Sequence, residues 1–252
     1  MNVTSHTPGM PVWVDVMAET TDQRHQLMAF YELLFGWSFD EGPEEMSHYT
    51  IASHDHQAVM GFVQAPGGAG QMTTYFGTDD VDASLARARE LGATPLMEPI
   101  DVTDVGRMAM VADPAGAVHG LWQAGTFAGF GQVYEVGAPG WFDHASDTPD
   151  VASDYYVGLT GMTLTEPDPS MKVLSHGEQW FASFSHNQVP QRTAQWNALY
   201  ITDSLERLRE TVTRQGGTVL VAEMPVPGSA ITVFSEPVMN TVVTVMRAGE
   251  PA

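Results

Sequence analysis

The chain of 252 residues has no cysteine and only one lysine, Lys172. The absence of cysteine excludes disulfides, a thiol nucleophile and a thiolate metal site. No apolar run reaches the roughly 18 residues that a transmembrane helix needs. The opening residues, MNVTSHTPGMPVW, lack both the basic start and the apolar core of a secretory signal. We therefore expect a cytoplasmic protein that does not bind membranes.

Basic residues are also scarce, since 10 Lys and Arg stand against 31 Asp and Glu, which gives a formal net charge of −21. Nucleic acids and anionic membranes are bound largely through basic side chains. The composition therefore excludes both as expected partners and leaves a small molecule. An excess of acidic residues is typical of a surface that keeps a protein soluble, and it does not identify the ligand. The sequence is compatible with both a monomer and a homodimer.

The second half of the chain repeats landmarks of the first half. Trp13-Val14-Asp15 returns as Trp141-Phe142-Asp143, an offset of 128, and Asp113-Pro114 returns as Glu236-Pro237, an offset of 123. The difference between the two offsets is what loop insertions and deletions produce. We predict two homologous units, 8–124 (unit one) and 131–248 (unit two), joined near QAGTFAGFGQ.

Within each unit a β-α-β-β-β pattern occurs twice. The helices predicted in unit one end at Gly36 and Gly92, and their apolar spacing suits helices that lie on a sheet. Its predicted elements are strand 11–17, helix 21–35, strands 37–40, 46–52 and 57–64, strand 71–78, helix 80–91, and strands 94–98, 106–112 and 117–123. Unit two repeats them, with helices near 148–160 and 203–215. The predicted class is α+β.

These paired βαβββ modules, with FYELLFGW at the end of the first helix and GR…VADPAG in the last hairpin, resemble the vicinal oxygen chelate superfamily. That superfamily includes glyoxalase I, bleomycin- and fosfomycin-resistance proteins and extradiol dioxygenases. The resemblance covers nearly the whole chain and is strongest in unit one. It implies two tandem glyoxalase-like domains, each with a mixed sheet that curls into a cup.

The resemblance also implies where a metal would be bound, since metal-binding members place His, Glu or Gln on the first and last strands of a module. Those positions fall on Asp15, Thr73 and Gly120 in unit one, and on Asp143, about Trp196, and Val243 in unit two. One carboxylate per unit is too few, because catalytic metal sites use three or more protein ligands. We therefore expect no metal cofactor; a divalent metal on unusual ligands is the alternative.

Without a metal, the cups are expected to bind a small organic molecule. The expected ligand-binding residues are Trp13, Asp15, Thr73, Tyr75, Val118, Gly120 and Trp122 in unit one, and Trp141, Asp143, Trp196, Asn197 and Val245 in unit two. Asp15 and Asp143 are also the candidate catalytic residues, because a carboxyl among aromatic rings can act as a general base. A purely structural role for both is the alternative.

The expected function is metal-independent binding of an apolar or aromatic compound, either as a resistance-type binding protein or as a tailoring enzyme such as an isomerase, lyase or hydroxylase. The alternative is a metal-dependent lyase, hydrolase or dioxygenase. We predict that the first cup holds the ligand, because Thr73 and Gly120 are small while Trp196 and Val243 narrow the second. His119 and His144 are predicted to point away from the cups.

Overall fold

A computed structural model describes residues 7–65, 70, 72–168, 171–187 and 193–249. The described residues form two eight-stranded mixed sheets and four α-helices. The first sheet has the strand order β2-β3-β4-β1-β5-β8-β7-β6, and the second repeats it as β10-β11-β12-β9-β13-β16-β15-β14. The predicted α+β class, with one sheet in each of two tandem domains, is confirmed.

The elements of unit one are β1 Pro11–Ala18, α1 Thr21–Phe35, β2 Ser38–Glu41, a short 3₁₀ helix Glu44–Met46, β3 Thr50–His54, β4 Gln57–Gln64, β5 Met72–Gly77, α2 Val81–Glu90, β6 Thr94–Val102, β7 Gly106–Ala112 and β8 Val118–Ala124. Those of unit two are β9 Pro139–Ser146, α3 Pro149–Thr160, β10 Thr163–Asp168, β11 Met171–His176, β12 Gln179–His186, β13 Gln195–Thr202, α4 Leu205–Arg214, β14 Thr218–Val226, β15 Ser229–Ser235 and β16 Val242–Arg247.

One predicted strand of unit one begins later than expected. The strand predicted at 46–52 starts at Thr50, after the 3₁₀ helix. Ser47 and His48 adopt left-handed backbone angles, with φ of 52° and 54°, which an extended strand cannot contain. The backbone therefore turns here, and Tyr49 follows the turn directly.

The helix boundaries follow from local capping. The side chain of Thr20 accepts a hydrogen bond from the backbone of Gln23 at the start of α1, and Gly36 ends the helix with φ of 72°. Val14 and Val16 point from β1 toward the helices and are fully or almost fully buried. None of the helices in the described part of the chain is long and apolar enough to cross a membrane.

The two units pack together through their helix-bearing faces, where α1 contacts α4, α2 contacts α3 and β5 contacts β13. Aromatic side chains fill this interface: the rings of Phe76 and Trp196 lie 5.3 Å apart between centroids. Trp37 donates through its indole nitrogen to the carbonyl of Gly137 at 2.7 Å. The interface is therefore part of one continuous core.

A buried hydrogen-bond network also links the units. Asp113, in the last hairpin of unit one, accepts hydrogen bonds from His144 Nε2 at 2.8 Å and from the Tyr156 hydroxyl at 3.0 Å. The His119 Nε2 atom lies 2.9 Å from the hydroxyl of Tyr155. Both histidines point away from the cups and bridge the units, so their predicted orientation is confirmed.

Candidate functional site

We define the cup face of each sheet as the face turned away from the helices. On β1, Trp13 and Asp15 point to this face, because side chains alternate along a strand and Val14 points to the helices. The strand register places Asp15 beside Thr73 on β5, and Trp13 beside Tyr75. Tyr75 in turn lies beside Gly120 on β8.

All seven residues expected in the first cup share the cup face: Trp13, Asp15, Thr73, Tyr75, Val118, Gly120 and Trp122. Val118 is half-buried near the start of β8, and the other side chains are almost fully buried. The structure thus brings these residues together on one surface. Their role in ligand binding stays a prediction.

Glycines on this face make room for aromatic rings. A Cβ atom at Gly120 would overlap the ring of Tyr75, and a Cβ atom at Gly106 would overlap the ring of Trp122. The rings therefore lie directly over the sheet backbone, where a glycine allows a close approach. The space that Gly120 leaves is filled by Tyr75, and the cup face has an aromatic floor.

Asp15 carries the carboxyl group of this floor, and its side chain is buried. Its Oδ2 atom accepts a hydrogen bond from the Tyr75 hydroxyl at 2.8 Å. Its Oδ1 atom is buried without a hydrogen-bond partner among the described residues. Burial raises the pKa of Asp15 to about 7, although the hydrogen bond from Tyr75 acts in the opposite direction. A group with such a pKa can take up or release a proton near neutral pH.

Tyr49 is also on this face and is not among the residues predicted from the sequence. Its hydroxyl accepts a 2.6 Å hydrogen bond from the indole nitrogen of Trp13. A Cβ atom at Gly61 would overlap that hydroxyl, and Gly61 is paired with Asp15 across β4 and β1. The signal that could have found Tyr49 is therefore Gly61 itself, a strand glycine like Gly120.

The segment between the units covers part of the aromatic floor. The ring of Phe127 packs edge-on against Trp13, with 4.9 Å between centroids, and lies 6.3 Å from Trp122. The indole nitrogen of Trp122 donates to the Phe127 carbonyl at 3.0 Å. The floor thus already holds one aromatic ring, which comes from the chain itself.

In unit two the strand register shows that three residues expected in the cup lie on the opposite face of the sheet. Asn197 is the neighbour of Asp143, and Leu199 is the neighbour of Trp141 on one side and of Thr244 on the other. The counterparts of Thr73, Tyr75 and Gly120 are therefore Asn197, Leu199 and Thr244. Trp196, Val243 and Val245 point to the helices instead of the cup.

Val243 and Val245 were misplaced because the last hairpin of unit two is one residue longer than that of unit one. In unit one the last hairpin closes with a hydrogen bond from Asp113 N to Ala117 O, whereas in unit two it closes from Glu236 N to Thr241 O. The extra residue shifts every later side chain by one position, and thus to the other face of the strand. Trp196 was misplaced by a similar shift on β13; it is fully buried in the interface between the units.

The cup face of unit two is more polar and more open. Asp143 accepts hydrogen bonds from the hydroxyls of Ser183 at 2.7 Å and Ser185 at 2.8 Å. Trp141 donates through its indole nitrogen to Ser183 at 2.9 Å, and the Asn197 amide approaches the Asp143 carbonyl at 3.4 Å. Trp141, Asp143 and Asn197 are all partly exposed. The two cups therefore offer different chemistry.

The residues at the metal-ligand positions do not fit a metal. Asp15, Thr73 and Gly120 together offer one carboxylate and one neutral hydroxyl, and a divalent ion needs more donors. Within the ranges that the structure describes, no group of three or more His, Asp or Glu side chains could hold a metal ion. His54-Asp55-His56 spans the turn between β3 and β4, where Asp55 and His56 have positive φ angles.

Comparison with known proteins agrees with the fold. Residues 13–121 match the model of the family described as Glyoxalase-like domain. The chain is 30% identical over 241 residues to "Putative glyoxylase CFP32" of Mycobacterium tuberculosis, covering 91% of each protein. It is also 32% identical over 184 residues to "Anthracycline biosynthesis protein DnrV" of Streptomyces peucetius, covering 64% of this chain and 63% of DnrV. The chain belongs to the glyoxalase-like family of the vicinal oxygen chelate superfamily.

Solved structures show the same fold at low sequence identity. The Mn(II)-bound glyoxalase from Novosphingobium aromaticivorans superposes with a TM-score of 0.66 at 14% identity, covering 96% of this chain and 83% of that one. The 2,3-dioxygenase LapB from Pseudomonas sp. KL28 superposes with a TM-score of 0.65, also at 14% identity, covering 96% and 93%. At this identity the likeness concerns the fold alone.

Proposed function

We propose that the cup face of unit one binds a small, planar, mainly apolar aromatic molecule without a metal ion. The observation that carries the proposal is the aromatic floor, on which Trp13 and Trp122 already hold the ring of Phe127. A ligand ring would pack against this floor and displace or join Phe127. Each aromatic pair contributes about 0.5–1.5 kcal/mol beyond the area that it buries.

The names of two relatives support a ligand of this kind. DnrV is named for anthracycline biosynthesis, and so is "Anthracycline biosynthesis protein DauV" of Streptomyces sp. (strain C5), which is 30% identical over 184 residues. Anthracyclines contain fused rings. The resemblance to these proteins covers 64% of this chain. It is consistent with a compound of fused rings as the ligand class for the aromatic floor.

The first prediction concerns where the ligand binds. Gly120→Leu should weaken the binding of 1-naphthol at least tenfold, because the new side chain must push Tyr75 out of its place on the floor. The matched variant is Thr244→Leu, at the corresponding position of unit two, and it should leave binding unchanged. Equilibrium dialysis of both variants and the parent measures the effect. If Thr244→Leu weakens binding and Gly120→Leu does not, the ligand is in the second cup.

The second prediction concerns the metal content of the purified protein. Protein purified without chelator or metal-affinity tag should contain far less than one transition-metal ion per chain, because Asp15 is the one carboxylate at the three ligand positions of unit one. Elemental analysis by mass spectrometry measures this content. Treatment with EDTA should leave 1-naphthol binding unaltered. One metal per chain, released when Asp15 is replaced by asparagine, would instead support the metal-dependent alternative.

A catalytic function is favoured by the buried carboxyl group of Asp15, whose Oδ1 atom has no partner among the described residues and whose pKa burial raises to about 7. As a general base it would remove a proton from a carbon next to a carbonyl group, as a metal-free isomerase requires. The test is hydrogen–deuterium exchange of 2-tetralone in D₂O, followed by NMR. Exchange above the level of the Asp15→Asn variant supports an enzyme. Equal rates for the two proteins support a binding protein.

A further inference from the structure

Two oxygen atoms on the cup face of unit one, one on the buried Asp15 and one on the half-buried Tyr49, have hydrogen-bonding capacity that the described residues do not use. Asp15 Oδ1 has no partner among them. The Tyr49 oxygen accepts from the Trp13 indole nitrogen, and no described residue accepts the hydrogen of this hydroxyl. A buried polar group without a partner is costly, so each such group calls for an explanation.

The sheet register brings these two atoms to neighbouring places. Gly61 is the direct neighbour of Asp15 across β1 and β4, and the Tyr49 hydroxyl lies where a Cβ atom of Gly61 would be. The Tyr75 hydroxyl donates to Asp15 Oδ2, so Oδ1 is the carboxylate oxygen that has no partner among the described residues. An unused acceptor on Asp15 and an unused donor on Tyr49 therefore both adjoin Gly61 on the cup face, without a hydrogen bond between them.

The segment that carries Tyr49 is held firmly. Arg24 of α1 is fully buried, and its Nη1 atom donates to the His48 carbonyl and to the Thr50 hydroxyl. Its Nη2 atom forms an ion pair with Glu41 at 3.1 Å. Arg24 thus holds the residues on both sides of Tyr49 along the chain.

We infer that Tyr49 and Asp15 form a subsite for a hydroxyl group on the aromatic ligand, an inference that rests on the proposed function. The ligand oxygen accepts the hydrogen of the Tyr49 hydroxyl, and the ligand hydroxyl donates to Asp15 Oδ1. One phenolic hydroxyl satisfies both atoms at once. The ligand class is therefore a planar aromatic compound that carries a ring hydroxyl.

The test compares naphthalene with 1-naphthol, which differ by one hydroxyl, by equilibrium dialysis at pH 8. The parent protein should bind 1-naphthol about tenfold more tightly, as expected for a buried hydrogen-bonded hydroxyl. Tyr49→Phe should lower this preference at least threefold, measured as the ratio of the two dissociation constants within the same variant. The matched control is Tyr31→Phe, a fully buried tyrosine of α1 whose hydroxyl has no partner among the described residues; it should keep the preference.

A third probe needs no variant. The methyl ether 1-methoxynaphthalene cannot donate to Asp15, and it should bind the parent protein no more tightly than naphthalene. Equal binding of naphthalene and 1-naphthol by the parent, with binding still sensitive to Gly120→Leu, overturns the hydroxyl subsite and leaves the proposed function standing. If neither probe binds, or if Gly120→Leu has no effect on binding, the proposed function fails and the subsite fails with it.

Discussion

The Asp15→Asn variant is expected to be more stable than the parent protein at pH 8, by about 2–4 kcal/mol, and to show no such advantage at pH 4. Burial raises the pKa of Asp15 from 3.8 to about 7. Between these values the folded protein holds a proton that the unfolded chain releases, so this residue costs stability as the pH rises. The cost is complete above pH 7, and asparagine, which stays uncharged, avoids it.

Urea unfolding at pH 4, 6 and 8 measures the difference between the two proteins. His119 has the opposite dependence, since burial lowers its pKa to about 4 and the folded state loses stability as the pH falls below 6.5. Both proteins contain His119, so its contribution cancels in the difference. The control is Asp143→Asn, which should give no gain, because Asp143 accepts hydrogen bonds from two serines. A difference that is independent of pH would contradict the prediction.

The same substitution should weaken ligand binding, because the asparagine amide would face the ligand hydroxyl with a donor where Asp15 Oδ1 is an acceptor. A residue that lowers the stability of the protein and improves its binding is typical of a functional site. Measuring stability and 1-naphthol binding on one preparation separates the two effects. A more stable variant that still binds fully would assign Asp15 no role in binding.

Asp113→Ala is expected to destabilise the protein by about 3–5 kcal/mol, because it removes a buried carboxylate together with all its hydrogen bonds. One oxygen of Asp113 accepts from the backbone of Ala115 and Ala117. The other oxygen accepts from His144 and Tyr156 of unit two. Burial opposes the charge on Asp113, but the hydrogen bond from His144 and the electrostatic interaction with this residue lower the pKa of Asp113 overall.

Denaturant unfolding of Asp113→Ala, compared with Asp104→Ala, measures this effect. Asp104 is exposed in the preceding turn, and its replacement should change the stability by less than about 0.5 kcal/mol. Asp113→Asn should lie between the two variants, since its amide oxygen can still accept from the hairpin backbone. A loss below about 1 kcal/mol for Asp113→Ala would show that the link between the units is not a major source of stability.

The sequence allowed most of the fold of unit one to be predicted, because strand and helix periodicities are local. The alternation of Trp13 and Asp15 with buried valines placed their side chains on the right face without knowledge of the tertiary structure. The register of unit two could not be derived in this way. A single extra residue between Glu236 and Thr241 moves each later side chain to the opposite face, and an offset that drifts by several residues does not locate it.

Tyr49 escaped prediction for a different reason. Its position depends on two left-handed residues before it and on Arg24 from a distant helix, and neither contact leaves a periodic pattern in the sequence. The residues that could be recognised in the sequence were Gly61 and Gly120, since a glycine inside a strand often marks a place where another group approaches the backbone closely. Which side chain approaches each glycine is decided by the packing of the whole sheet.

The link through Asp113 also bears on how the chain is made. His144 and Tyr156 follow Asp113 by 31 and 43 residues, so both leave the ribosome after the hairpin that they complete. At about 5–20 residues per second, the hairpin waits roughly 2–9 s for its partners. During this interval, the nascent first half exposes the apolar helix face that unit two later covers. Chaperones that bind such surfaces would therefore meet this protein at a defined stage of its synthesis, before α3 is complete.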